Sequence, residues 1–224
     1  MPGKLESTDI NAVIFDMDGL ILDTEPISLA TFVQACREHS FEPDLSVYHR
    51  CIGVNWEGIQ RIIREGYGPT FPFDAVTGLW RRNYNLQTQE GPVPIKAGAL
   101  NLLKYLAEER TRMVLVTSTR SEMARRELFN TGLADFFDFI LGGDQVTRSK
   151  PDPEIYLTAC EKLGEHPAKC LALEDSDNGV KAAFHAGLKV IQIPDMIQPS
   201  AEVKALGHVI MESLTAVEEM LRAN

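Results

Sequence analysis

The sequence predicts an α/β protein in which a doubly wound parallel sheet carries a small inserted α-helical domain. From residue 98 onward, short apolar runs alternate with helical patterns, which is typical of a parallel sheet flanked by helices. The first apolar run, Ala12–Phe15, lies ~95 residues before the second, where a βα unit needs about 30. The block between them has helical patterns and no strand pattern, so we expect an inserted domain.

The first run is expected to be a strand buried on both faces, because it is continuously apolar and half β-branched. In the block that follows, residues 27–38, 44–60 and 60–65 have helical patterns. Gly53 and the stretch Gly66-Tyr-Gly68-Pro69 interrupt them.

The predicted division of the chain is a core in two parts with the helical domain between them. The stretch Gln89-Glu-Gly91-Pro92-Val-Pro94 is a plausible return hinge, because glycine and proline are common in connections between domains. The predicted boundaries are residues 1–24 and 92–224 for the core and 25–91 for the helical domain.

The second half of the sequence contains several helix start and stop signals. The capping box Thr119-Arg-Ser-Glu122 predicts a helix that ends near Gly132, and Asp152-Pro153 predicts an N-cap followed by proline at the first helical position. The predicted strands are residues 113–117, 139–141, 170–173 and 189–193. The predicted helices are residues 99–109, 119–132, 153–163, 178–185 and 214–221.

Composition and charge limit the classes of function. The chain has 224 residues, of which 44% are hydrophobic, enough for one medium domain with a small insertion. Asp and Glu number 32 against 22 Lys and Arg, a formal net charge of −10, and no basic run occurs that would follow a phosphate backbone. We therefore expect no nucleic-acid partner, and an anionic substrate has to be attracted by local features.

The cysteines and the first residues of the sequence indicate the cellular compartment in which the protein is expected to work. Cys36, Cys51, Cys160 and Cys170 lack CxxC spacing and have apolar neighbours, which predicts buried free thiols. Residues 1–9 lack a basic start joined to an apolar segment, and no window approaches 18 consecutive apolar residues. We expect no membrane partner and a reducing compartment, most simply the cytoplasm.

Two carboxylates follow the first strand. Ligands in an open α/β sheet bind just beyond the carboxyl ends of the strands, which is where Asp16 and Asp18 lie. Two hard oxygen ligands followed by Gly19, which allows a sharp turn, suit a Mg²⁺ ion that keeps several waters. A solvated turn is the alternative, since the DxDG pattern is only four residues long.

Three later strands also end in polar residues. Thr117-Ser118-Thr119 places a hydroxyl beside free helix amides, which is either an anion site or only a helix cap. Ser149-Lys150-Pro151 supplies one cation, although a lone lysine is usually a solvated surface charge. Glu174-Asp175-Ser176-Asp177 begins with two adjacent carboxylates, which are unfavourable unless a cation neutralises them. Together the four strand ends provide the groups that phosphoryl transfer requires.

Four stretches resemble the signature motifs of the haloacid dehalogenase superfamily, namely DMDGLILDTE, LVTSTR, SKPDPEIY and LEDSDNGVKAA. More narrowly, the chain resembles the phosphatases and mutases of that superfamily that act on small phosphorylated sugars, including β-phosphoglucomutase-like and pseudouridine-phosphatase-like members. The resemblance extends over essentially the whole chain. It implies a Rossmann-like core with a helical cap inserted after the first motif.

The resemblance also implies an activity, that of a Mg²⁺-dependent phosphatase acting on a small phosphomonoester through an aspartyl phosphate. It implies that Asp16 is the nucleophile, which the residues alone do not rank above Asp18, and that Asp18 acts as acid and then as base. Mg²⁺ would be held by Asp16, the Asp18 backbone carbonyl and Asp175, with Glu174 as a ligand or just behind the ligands. The implied phosphate-binding residues are Thr117, Ser118 and Lys150.

A β-phosphoglucomutase-type mutase is the main alternative. In those mutases the cap loop carries Gly-Val-Ser-Arg, whose arginine binds the distal phosphate, and the matching stretch here is Gly53-Val54-Asn55-Trp56. The mutase histidine after the first motif corresponds to Ser28. We therefore expect a phosphatase, with a non-enzymatic phosphometabolite-binding module as a weaker alternative.

Recognition of the leaving group is expected to fall to residues of the cap and of the loop facing it. Arg61 and Arg64 are further possibilities, although arginines on a helix more often form a solvated face. The expected partner is a small phosphorylated metabolite, and the expected state is a monomer or weak dimer. The candidate specificity residues are Glu25, Asn55, Trp56, Thr119 and Arg120.

Overall fold

The computed structural model describes residues 10–90 and 93–223 and confirms the α/β class. The strands are β1 (Ala12–Phe15), β2 (Arg112–Val116), β3 (Phe139–Leu141), β4 (Cys170–Glu174), β5 (Lys189–Gln192) and β6 (Val209–Ile210). The helices are α1 (Glu25–Glu38), α2 (Leu45–His49), α3 (Trp56–Tyr67), α4 (Phe73–Glu90), α5 (Ala99–Glu108), α6 (Ser121–Thr131), α7 (Glu154–Leu163), α8 (Asp177–His185), α9 (Ala201–Lys204) and α10 (Leu214–Arg222).

The strands form one parallel sheet in the order β3-β2-β1-β4-β5-β6. Val13 and Phe15 of β1 belong to the hydrophobic cluster on one face, and Ala12 and Ile14 to the cluster on the other. Burial of this strand on both faces is therefore confirmed. Because all the strands run the same way, the residues that follow β1, β2, β3 and β4 lie at one edge of the sheet.

Helices α1 to α4, which we call the helical block, have a hydrophobic cluster of their own. At its centre Phe32 contacts Trp80, with ring centroids 5.0 Å apart. As the sequence predicts, the described part of residues 25–91 contains helices and turns and no strand. The predicted boundary between residues 91 and 92 lies outside the described residues.

The two connections between the helical block and the sheet run side by side. The Asp23 amide donates a hydrogen bond to the Pro94 carbonyl at 2.8 Å, and the Lys96 amide donates to the Ile21 carbonyl at 2.9 Å. The Lys96 ammonium also bridges the carboxylates of Asp23 (3.3 Å) and Asp195 (2.5 Å). The helical block therefore joins the sheet through a paired, charge-stabilised connection.

The predicted capping box at Thr119 is wrong. Helix α6 begins at Ser121, whose amide donates to Asp144 Oδ1 at 2.7 Å, so a residue of the 3₁₀ turn Gly143–Gln145 satisfies the helix start. Helix α7 begins at Glu154 with Pro153 at the N-cap, one residue later than predicted, and the Asp152 side chain accepts a hydrogen bond from the Glu154 amide at 3.0 Å. The sequence prediction did not include α9 and β6, which are only four and two residues long. It also placed no separate helix on residues 73–90, where the structure has the 18-residue α4.

All four cysteines are buried and unpaired, as predicted. Among the described residues, none of the helices combines the length and apolar character that crossing a membrane requires.

Two glycines provide a test of the fold's backbone geometry. Gly98 precedes α5 with a φ of +85°, and a Cβ there would lie 2.7 Å from the backbone nitrogen of Thr215, so Gly98→Ala should lower the free energy of unfolding. Gly78 lies inside α4, where a Cβ would meet nothing within 4 Å. Gly78→Ala should raise the free energy of unfolding by about 0.5–1 kcal/mol. Urea denaturation measures both, and a Gly98→Ala protein as stable as wild type would contradict the expectation.

Candidate active site

The centre of the site is a buried cluster of one lysine and two carboxylates. Asp16 directly follows β1, and its amide donates to the Leu173 carbonyl of β4 at 3.0 Å, which fixes its place at the sheet edge. The Lys150 ammonium donates to Asp16 Oδ1 and, at 2.6 Å, to Glu174 Oε1. The three side chains are almost fully buried. The structure thus brings together residues that are far apart in the chain.

The Glu174 carboxylate is fully engaged in hydrogen bonds. Oε1 also accepts from the Tyr156 hydroxyl at 2.8 Å, and Oε2 accepts from the Asp175 amide at 3.2 Å. The amide and hydroxyl of Ser176 donate to Oε2 at 3.3 and 3.2 Å. Glu174 therefore holds Lys150 in position, and Tyr156, which sequence reasoning missed, supports it from behind.

An acidic group suited to a metal ion lies beside the lysine. One oxygen each of Asp16, Glu174 and Asp175 lie within 4.8 Å of one another. Three carboxylates face one ammonium, which leaves an excess of two negative charges. Burial raises the pKa of Asp175, and the neighbouring carboxylates of Asp16 and Glu174 raise it further. A divalent cation would relieve this repulsion, and carboxylate oxygens are the ligands that Mg²⁺ prefers.

The approach of Asp175 to the first motif requires Gly19. This residue has a φ of +80°, and a Cβ on it would lie 2.5 Å from Asp175 Oδ2. Only glycine combines this backbone conformation with so close a contact. The sharp turn expected after Asp18 is therefore present.

The Asp18 carboxylate is directed by three threonines. Oδ1 accepts from the Thr24 hydroxyl at 2.9 Å, and Oδ2 accepts from the hydroxyls of Thr117 at 3.2 Å and Thr119 at 2.8 Å. Its side chain is outside the acidic group of Asp16, Glu174 and Asp175. Such a carboxylate, held in one orientation beside Asp16, can exchange a proton with a group bound there.

A cavity of about 350 Å³ lies between the sheet edge and the helical block. Ser118 Oγ, on the cavity wall, is buried with no hydrogen-bond partner among the described residues. The predicted site residues that line the cavity are Asp16, Asp18, Glu25, Trp56, Thr117, Ser118, Thr119, Arg120 and Lys150.

The structure places three other candidates elsewhere. Asn55 is the N-cap of α3, where its Oδ1 accepts from the Gly58 amide at 2.9 Å. Arg61 and Arg64 are exposed, and the Arg64 guanidinium lies over the Phe73 ring at 3.6 Å from its centroid. Both arginines fit the solvated-face interpretation.

Helix α4 supplies cavity residues that sequence reasoning missed, notably Arg81, Tyr84 and Asn85. The helical pattern of the block predicts a helix in general but not which side faces the sheet edge. The signal that could have found these residues is their spacing of three to four positions beside Trp80, which puts them on one helix face.

Glu25 lies on the cavity wall at the start of α1. Its Oε2 accepts from the Tyr48 hydroxyl at 3.1 Å. Burial raises the pKa of Glu25 to about 7, and the nearby charge of Asp18 adds to the increase. Glu25 is thus a poorly solvated carboxyl close to Asp18.

Comparisons with known proteins agree with this geometry. Residues 13–193 match the family of haloacid dehalogenase-like hydrolases. The chain is 33% identical over 213 residues to "Putative phosphatase YhcW" of Bacillus subtilis, covering 93% of this chain and 94% of the relative. It is 31% identical over 215 residues to "Phosphorylated carbohydrates phosphatase" of Thermotoga maritima, covering 95% and 97%.

Among solved structures, a "putative beta-phosphoglucomutase from Thermotoga maritima" has a TM-score of 0.76 and 27% identity, covering 96% of this chain and 99% of that one. The sequence match to the family spans well over half of the chain. The resemblance of the four motifs is confirmed, and the protein belongs to the haloacid dehalogenase-like hydrolase family.

Proposed function

We propose that the protein is a Mg²⁺-dependent phosphatase that hydrolyses a small phosphomonoester, a phosphorylated sugar or related metabolite, through an aspartyl phosphate. The observation that carries the proposal is the Asp16 carboxylate on the cavity wall, paired with Lys150 and close to the fixed Asp18 side chain. The phosphatase names of two relatives support the same activity.

In the first step an Asp16 oxygen attacks phosphorus, and the bond from phosphorus to the leaving oxygen breaks. Asp18 gives its proton to that oxygen. In the second step Asp18 takes a proton from water, whose oxygen bonds to phosphorus and releases Asp16. Lys150 balances charge on the phosphoryl oxygens, and the unpartnered hydroxyl of Ser118 is available to donate to one of them.

Asp16, Asp175 and the backbone carbonyl of Asp18 would hold Mg²⁺, with Glu174 behind them. When bound, the ion would neutralise charge on the transferring phosphoryl group. The acidic group fits such an ion because its carboxylates exceed the nearby ammonium charge.

We also propose the organisation that goes with this activity. Residues 25–91 would act as a cap over a core formed by residues 1–24 and 92–224, and the separate hydrophobic cluster of the helical block supports this division. The four unpaired thiols support a cytoplasmic location. A monomer or weak dimer remains our expectation.

Asp16→Asn is expected to abolish turnover while the protein stays folded, because an amide of nearly the same size cannot attack phosphorus. The matched control is Asp74→Asn, since the Asp74 side chain on α4 is 96% exposed and outside the cavity. Phosphate release and circular dichroism check both variants. Retention of more than a few per cent of wild-type turnover by Asp16→Asn would rule out its role as nucleophile.

Asp175→Ala is expected to raise the Mg²⁺ concentration required for half-maximal activity, because it removes one proposed ligand. A Mg²⁺ titration of phosphate release measures the shift, and EDTA should abolish wild-type activity. An unchanged titration curve would show that Asp175 does not bind the ion.

A phosphosugar mutase is the second candidate, favoured by the solved β-phosphoglucomutase-like neighbour. A mutase must hold a second phosphate in the cap. At the position that corresponds to the phosphate-binding arginine of the mutases, this chain has Trp56, whose indole lies on the cavity wall. Among the described residues of the helical block that line the cavity, Arg81 is the one arginine, and its guanidinium lies over that indole at 4.6 Å from the ring centroid.

We therefore expect hydrolysis to outpace isomerisation. The assay supplies β-glucose 1-phosphate with Mg²⁺ and a trace of the 1,6-bisphosphate, and follows glucose 6-phosphate and free phosphate together. Formation of glucose 6-phosphate clearly faster than phosphate release would identify a mutase.

A further inference from the structure

Asp195, in the loop that follows β5, has one carboxylate oxygen whose role its ion pair with Lys96 does not explain. Oδ1 accepts a hydrogen bond from the Lys96 ammonium at 2.5 Å. Oδ2 is buried and has no hydrogen-bond partner among the described residues. A buried carboxylate oxygen without a donor is unfavourable, so we expect its partner to be a water molecule or an ion.

This oxygen lies beside the proposed metal ligand Asp175. A Cβ on Gly19 would lie 2.5 Å from Asp175 Oδ2 and 3.3 Å from Asp195 Oδ2. The two oxygens therefore border the same small space next to the Gly19 backbone. Asp195 is outside the acidic group of Asp16, Glu174 and Asp175. It is thus close to the proposed ligands without being one of them.

A second cavity, of about 240 Å³, lies between the helical block and the loops around Asp175. It provides room for water next to the Asp175 and Asp195 side chains, which both line it. The other titratable side chains that the described residues contribute to its wall are Asp177, His49 and Arg50. Three carboxylates on this wall outnumber its one arginine, so the cavity favours a cation over an anion.

The charge of Asp195 is only partly neutralised. Its partner Lys96 also bridges to Asp23 at 3.3 Å, so one ammonium serves two carboxylates. The excess of negative charge at the acidic group therefore extends to Asp195. The Asp195 side chain is 16% exposed, and solvent screens such a charge less than one at the surface. A cation bound at Asp175 would therefore be attracted by it.

We propose that Asp195 is a positioning residue for the metal ion. Mg²⁺ loses its hydration water reluctantly and keeps several water molecules in protein sites. One of these would donate a hydrogen bond to Asp195 Oδ2, which supplies the missing partner and holds the hydrated ion beside Asp175. Groups that act behind the ligands in this way contribute about 10–100-fold to metal affinity. The inference rests on the proposed Mg²⁺-dependent phosphatase and adds to it a residue outside the four motifs.

The test measures Mg²⁺ binding to the metal-free protein by isothermal titration calorimetry, a readout that does not depend on turnover. Asp195→Ala should raise the Kd for Mg²⁺ about tenfold or more, because it removes both the acceptor and its charge. Asp195→Asn, which keeps the volume of the side chain and loses its charge, should raise the Kd as well. The matched control is Asp23→Ala, which removes the other partner of Lys96. Asp23 lines neither cavity, so its loss should leave the Kd nearly unchanged.

Lys96→Met separates a role at the metal ion from a role in bracing the connection to the helical block. This variant removes the cation that competes for the charge of Asp195, so the Kd for Mg²⁺ should fall or stay the same. If Asp195 only braced the connection, loss of its partner would raise the Kd as Asp195→Ala does.

An unchanged Kd in folded Asp195→Ala and Asp195→Asn, with folding checked by circular dichroism, would overturn the inference. An equal rise of the Kd in Asp23→Ala or Lys96→Met would overturn it as well. Neither result contradicts the phosphatase, provided that Asp175→Ala weakens Mg²⁺ binding and the wild-type protein releases phosphate from p-nitrophenyl phosphate. A wild-type protein that neither binds Mg²⁺ nor releases phosphate would contradict the proposed function and this inference with it.

Discussion

The ion pairs that the buried Lys150 ammonium makes with Asp16 and Glu174 are the interactions on which the site depends. Removing the Lys150 ammonium would leave buried carboxylates without a compensating charge, and a loss of this kind destabilises a protein by roughly 3–5 kcal/mol. The two carboxylates directly follow or end neighbouring strands, β1 and β4, and the lysine comes from a loop beyond β3. The charges are thus paired only when the sheet has formed in its correct order.

The proton-transferring group and the helical block are physically linked. Thr24 donates to Asp18 and is the residue immediately before α1, while Thr117 and Thr119 donate to the same carboxylate from the sheet side. Any rotation of α1 against the sheet would move one of the three donors and leave the other two in place. The orientation of Asp18 is therefore sensitive to the position of the helical block.

The sheet-edge residues were predictable because each follows an apolar run, and parallel strands bring such ends together. Arg81 and Tyr156, which lie inside helices, were not predictable, because helical periodicity does not say which partner a side chain meets. They reach the site only through tertiary packing. Local rules also failed where a distant group competed. At the start of α6 the distant Asp144 accepts the amide hydrogen bond, and the Thr119 hydroxyl donates to Asp18 instead. At Asn55 the local rule held, because its side chain caps α3 and does not line the cavity.

The side-by-side connections have a consequence for the evolution of this chain. Asp23 and Pro94 are joined by a backbone hydrogen bond, so the ends of everything inserted between them meet at one point on the core. Lengthening such a loop increases the entropic cost of closing it only slowly, by about 0.6 kcal/mol for each doubling of its length. One inserted segment can therefore be replaced at this point by another of quite different size and shape. Recombination there would leave the reacting carboxylates and lysine in place and change the surface that meets the substrate.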